Sequence, residues 1–94
     1  MNNIAKLILC VSIASAASAS ANTVIYTQTG CEPCTQAKNY LTKKGEDYKE
    51  CNVAKPLCRQ QFESYKGEGT PLIIINGIRV DGFDPEGIDK ALNK

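Results

Sequence analysis

The chain has 94 residues, 43% apolar and 22% charged, which suits one compact domain and excludes a disordered tail, a coiled coil or a collagen-like repeat. Eleven Lys and Arg balance ten Asp and Glu, so no basic surplus exists to bind a phosphate backbone, and nucleic acid is not an expected partner. Histidine is absent, which removes Ser-His-Asp and Cys-His catalysis, and the five cysteines become the informative residues.

Residues 1–21 differ from the rest. Lys6 gives a short positive start, Leu7 to Ile13 is mostly apolar, and Ala14 to Ala21 holds only Ala and Ser. This reads as a secretory signal peptide, cut after Ala19-Ser20-Ala21 to leave a domain of residues 22–94, or after Ala17-Ser18-Ala19. A retained anchor is the alternative. Ser12, Ser15, Ser18 and Ser20 interrupt the run, which falls short of the ~18 apolar residues of a spanning helix, so stable membrane insertion is not expected. Leu9 before Cys10 is too bulky for a lipoprotein cleavage position, and Cys10 leaves with the signal. Export places the protein in the periplasm or a secretory pathway, where disulfides persist.

From residue 22 onward, strand and helix patterns alternate. Thr23 to Thr27 is β-branched and aromatic, hence a strand, with Tyr26 expected in the core. Cys34, Ala37 and Leu41 recur at helical spacing, Lys43 and Lys44 suit the carbonyl end, and Gly45 suits a left-handed cap. Tyr48 to Val53 reads as a weaker strand, and Cys58, Phe62 and Tyr65 as the apolar face of a helix opened by Pro56. Lys43-Lys44 and Lys49-Glu50 read as solvated surface. Leu72 to Ile75 is a continuous apolar strand, and Asn76-Gly77 before Ile78-Arg79-Val80 marks a tight hairpin. Asp84 is positioned to cap a last helix, with Pro85 in its first turn and Ile88, Ala91 and Leu92 facing inward. The order is βαβαββα, an α/β class.

Cys31-Glu32-Pro33-Cys34 falls where the first strand hands over to the first helix. Unpaired N–H groups and the macrodipole at a helix start stabilise a thiolate, and thiols so placed in Cys-x-x-Cys motifs titrate at about 3.5–7.5 instead of ~8.5. Cys31 is therefore the expected nucleophile. Cys34, one turn on, is the expected resolving thiol, able to attack a mixed disulfide on Cys31. The neighbouring carboxylate of Glu32 opposes the thiolate and keeps Cys31 from the lowest values of the class. Half of a zinc site is the alternative, but no second Cys-x-x-Cys exists and six residues separate Cys51 from Cys58, so no metal is expected. Cys51 and Cys58 both read as inward-facing across one connection. A structural disulfide there would add about 2–3 kcal/mol, and two buried thiols or a second redox pair relaying electrons to Cys31 are the alternatives.

With Cys-x-x-Cys after the first strand and Gly69-Thr70-Pro71 before an Ile-rich strand, residues 23–92 resemble the glutaredoxin family of the thioredoxin-like fold. The resemblance implies a four-stranded mixed sheet flanked by three helices. It implies that Thr70-Pro71 is cis beside the cysteines and offers its backbone to substrate, and that Gly82, Phe83 and Asp84 border a glutathione site at the last helix. A helix N-terminus is a ready anion site, although an ordinary N-cap role explains Asp84 equally well. Phe83 either meets substrate or seats the last helix. Two features depart from the family pattern: Gln28 stands where Lys or Arg is usual, and Gly82 stands alone where a glycine pair is usual. Losing one charge-assisted contact would cost about 1.5–3 kcal/mol, or about 10- to 150-fold in glutathione affinity.

The resulting expectation is a monomeric, exported thiol-disulfide oxidoreductase with no bound cofactor, using glutathione as co-substrate and acting on glutathione mixed disulfides or protein disulfides. The alternatives are a metal or iron–sulfur carrier built on the same cysteines, and a thioredoxin-type reductant of one specific protein indifferent to glutathione.

Overall fold

A computed structural model describes residues 22–94, and the expected signal peptide and Cys10 lie outside them. Seven elements follow in the order β1 (Thr23–Thr27), α1 (Glu32–Lys43), β2 (Lys49–Asn52), α2 (Pro56–Ser64), β3 (Leu72–Ile75), β4 (Ile78–Asp81) and α3 (Pro85–Leu92). The strands form one mixed sheet in the order β2-β1-β3-β4. β1 runs parallel to β2 through the α1 crossover, whereas β3 is antiparallel to both β1 and β4. The result is the thioredoxin-like architecture.

Both faces of the sheet are covered, which is why β3 reads as an unbroken apolar run, all four of its residues being buried. Ile25, Ile73 and Ile75 pack with Ala37 and Leu41 of α1 and Ile88 and Ala91 of α3. Tyr26, Leu72 and Ile74 point the other way and pack with Val53 and Phe62 under α2. Alternation along each strand thus splits the core in two. The second strand is shorter than its sequence suggests, and Tyr65 is the C-cap of α2, 39% exposed, with its ring 6.0 Å from that of the buried Tyr26. Asn76 and Gly77 both take positive φ, 50° and 84°, and close the β3–β4 hairpin.

Asp84 occupies the N-cap position of α3 but makes no side-chain capping bond. Its carboxylate instead lies over Gly87, where a β-carbon would come within 2.7 Å of Oδ2. Only glycine leaves room for that carboxylate, which therefore sits against the first turn of α3 without forming a capping hydrogen bond.

Candidate active site

Gly30, at φ 78°, turns the chain out of β1, and the Cys31 amide donates to the Gln28 carbonyl at 3.3 Å. Cys31 then becomes the N-cap of α1, with Glu32 and Pro33 in the first turn. Its sulfur accepts the Cys34 N–H at 3.1 Å, the role a serine or aspartate oxygen plays at other helix starts. Proline fits because a first-turn residue has no helical partner for an N–H. The Cys31 and Cys34 sulfurs are bonded at 2.05 Å, with their Cα atoms 5.2 Å apart. Cys31 is half-buried, whereas Cys34 is 2% exposed.

The Thr70–Pro71 peptide is cis, and the Thr70 hydroxyl donates to Cys31 Sγ at 3.4 Å. The amide of Gly82 donates to the Pro71 carbonyl at 2.8 Å, which brings the start of the β4–α3 connection beside this loop. Phe83 packs edge-on against Tyr40 of α1, with ring centroids 5.9 Å apart, and so joins α3 to the back of the helix that carries the cysteines. Thr70 therefore touches Cys31, Gly82 is tied to the neighbouring Pro71, and Asp84 lies farther along, exposed at the α3 start.

Cys51 and Cys58 are bonded at 1.99 Å and link β2 to α2. Cys51 packs with Tyr26 on the α2 face of the sheet, while α1 packs on the Ile25 face. The helices that carry Cys34 and Cys58 thus pack against opposite faces of the sheet.

One opening is lined by Cys31 itself and another by Thr70, which donates to its sulfur. The first is a cavity of ≈ 290 Å³ lined by Gln28, Cys31, Cys34, Lys38 and Glu50 among others. In it Lys38 Nζ lies 3.1 and 3.2 Å from the two oxygens of Glu50, and the buried Thr27 hydroxyl donates to Glu50 Oε2 at 2.8 Å. The Thr27 hydrogen bond, with help from the Lys38 ammonium, holds the Glu50 carboxyl below its ordinary value of 4.5. Lys49 and Glu50 are exposed, as the sequence suggests, and what strand alternation alone did not reveal is that the Glu50 carboxylate also meets Thr27 and Lys38. The second opening, of ≈ 410 Å³, lies beside Thr70 and Gly82 and carries Lys66 and Arg79. Arg79 is largely committed there, bonded to Asp81 and to the Tyr65 carbonyl.

The sequence profile of glutaredoxins matches residues 23–80. The chain belongs to the glutaredoxin family. It is 36% identical over 72 residues to a glutaredoxin-like 8.6 kDa protein encoded in the rubredoxin operon of Clostridium pasteurianum, an alignment covering 74% of this chain and 96% of that one. Among solved structures it resembles a mutant of the thioredoxin-like protein BC3987, with a TM-score of 0.72 and 30% identity over 77% of this chain and all of that one. It also resembles the glutaredoxin-like NrdH-redoxin of Escherichia coli, whose structure was described as the basis of a thioredoxin-like activity profile. There the TM-score is 0.66 and the identity 25%, over 72% of this chain and 91% of the other. A glutaredoxin fold carrying a bonded Cys31-x-x-Cys34 pair supports thiol–disulfide redox chemistry in this protein.

Proposed function

We propose that this glutaredoxin is an exported dithiol oxidoreductase in which Cys31 attacks, Cys34 resolves, and Thr70-Pro71 positions the partner. The observation that carries the reading is the Cys31 sulfur at the N-cap of α1, half-buried, receiving hydrogen bonds from the Cys34 amide and the Thr70 hydroxyl. Donors that meet a sulfur in the disulfide also stabilise the thiolate left on reduction.

In the reducing direction the Cys31 thiolate attacks one sulfur of a substrate disulfide. A Cys31–substrate bond forms as the substrate bond breaks, and the first substrate thiolate leaves. Cys34, deprotonated, then attacks Cys31 Sγ, closing the Cys31–Cys34 bond and releasing the second thiolate. Two electrons pass from the protein dithiol to the substrate, and the two thiol protons end on the released thiols.

Protein disulfides are the favoured substrates. The cavity lined by Cys31 presents Gln28 in place of a cation, and its Lys38 is already paired with Glu50. In the cleft lined by Thr70, Arg79 is held by Asp81 and backbone carbonyls. Few free cations remain for the carboxylates of glutathione. The printed description of the Escherichia coli relative, a glutaredoxin-like protein with a thioredoxin-like profile, supports the same preference. A second reading, turnover of glutathione mixed disulfides, draws support from the glutaredoxin family to which the chain belongs.

The deciding experiment compares turnover of a glutathionylated peptide with that of a protein disulfide, each coupled to a glutathione-based and a thioredoxin-reductase-based reducing system. Faster turnover of the protein disulfide is expected, with Cys31→Ser inactive on both. Full activity of Cys31→Ser would overturn the assignment. Residues 1–21 are read as the export signal, and a mature protein starting at Asn22 or Ser20 is the expected result of N-terminal sequencing after expression with the complete chain.

A further inference from the structure

The cavity beside the cysteines contains a built pair of opposite charges that the exchange reaction above does not use. Lys38 lies one helical turn after Cys34 on α1, so it shares that side of the helix. Glu50 is in register with Ile25, and Thr27 lies two residues beyond Ile25 on the same strand face, the face that α1 covers. Strand alternation and the parallel β1–β2 register thereby place Thr27 and Glu50 under the start of α1. The Thr27 hydroxyl, in a residue 1% exposed, fixes Glu50, and Glu50 grips the ammonium through both oxygens. Lys38, Glu50, Cys31 and Cys34 all line the same cavity.

Building on the dithiol reading, we propose that the Lys38–Glu50 pair sets the redox poise of the Cys31–Cys34 couple. Only the reduced couple carries a thiolate charge, so a nearby cation stabilises the dithiol form and makes the protein more oxidising, and an anion does the reverse. Lys38 supplies the cation. Glu50 holds it at the cavity wall and cancels most of its field, leaving the couple more reducing than an uncompensated lysine would. The side chains are 29% and 39% exposed, so solvent screens the pair only in part. The other charged groups around the sulfurs are Glu32 on α1, in the same cavity, and Lys66, Glu68, Arg79 and Asp81 in the cleft lined by Thr70, whose hydroxyl meets Cys31 Sγ. None of these makes an ion pair with Lys38 or Glu50.

The test is the equilibrium of the couple with dithiothreitol buffers, a reductant that needs no glutathione site, read by alkylation and mass mapping of the peptide carrying Cys31 and Cys34. The thiolate is followed in parallel by its ultraviolet absorbance against pH. Lys38→Gln leaves Glu50 unopposed and is expected to shift the equilibrium toward the disulfide by about threefold to tenfold, with a rise of about half to one unit in thiolate pKa. Glu50→Gln leaves Lys38 unopposed and is expected to move both quantities by a similar factor in the opposite direction. The double variant should return close to the parent. A merely structural ion pair would lower the melting temperature in both variants without opposite shifts in poise. Shifts under twofold, or shifts of the same sign, in a parent protein that equilibrates normally overturn this inference alone. A parent chain whose Cys31–Cys34 couple does not equilibrate overturns the proposed function and this inference with it.

Discussion

Thr70 Oγ1 donates to Cys31 Sγ across 3.4 Å, joining two residues 39 apart in sequence. The contact depends on β3 lying beside β1, with Tyr26 opposite Leu72, so that the loop before β3 ends next to the loop after β1. Replacing Thr70 by Val keeps the branched shape and removes the donor. The expected outcome is a Cys31 thiolate that forms at higher pH and exchanges about 2- to 10-fold more slowly at neutral pH, from the loss of a hydrogen bond worth about 0.5–1.5 kcal/mol. Alkylation rate against pH measures it, and an unchanged profile would remove Thr70 from the site.

The Cys51–Cys58 disulfide closes a short loop, with a sequence separation of 7 and Cα atoms 5.4 Å apart. Constraining that loop in the unfolded chain contributes about 2–3 kcal/mol. The Cys51→Ala/Cys58→Ala double variant is therefore expected to unfold at lower denaturant concentration, with exchange activity per folded molecule retained, since α2 and α1 pack against opposite faces of the sheet. Urea titration and a specific-activity assay on the same samples check both halves. Loss of activity at full stability would instead favour an electron relay.

Gly67 has no room for a side chain. A β-carbon there would lie 2.5–2.7 Å from the Phe62 ring, which is 8% exposed and packed under Tyr26. Neither the ring nor the backbone, tied by the Gly67 N–H to the Phe62 carbonyl at 3.0 Å, can give way cheaply. Gly67→Ala is expected to destabilise the protein by about 1–3 kcal/mol, measured by thermal or urea unfolding. The equivalent change at Gly69, which has open space around its α-carbon, should cost far less.

Acid should loosen the fold at two carboxylates. Glu50 is held below its ordinary value by Thr27 and Lys38, and Asp89 by the Tyr40 hydroxyl and Lys44. For a folded-state pKa lower than the unfolded one, the stability from the ionised form is complete above the ordinary carboxylate range and disappears as pH falls through the folded value. Unfolding midpoints are expected to be flat near neutrality and to drop on acidification below the ordinary values of 4.5 and 3.8. Glu50→Gln should flatten part of that acid limb. At the alkaline end Lys44 is raised, chiefly by Asp89, so its contribution holds below 10.5 and is lost as pH rises through the folded value.

Local chemistry alone determined the order of elements and the place of the Cys-x-x-Cys motif. Pro33 and Cys34 open a helix after a β-branched strand, Asn76-Gly77 turns a hairpin, and an all-apolar β3 announces a strand covered on both sides. These signals are legible because each rests on neighbours within a turn or two. The rest required distant segments to meet. Only the strand order decided that Thr70 reaches Cys31, that Glu50 faces Lys38 across the cavity, and that the helices carrying Cys34 and Cys58 pack against opposite faces of the sheet. Asp84 shows the same limit at short range: its place before Pro85 marks the helix start, but whether its carboxylate caps the helix or lies over Gly87 is set by the path of the β4–α3 connection. Side-chain direction at such points is fixed by packing between elements, which no single segment encodes.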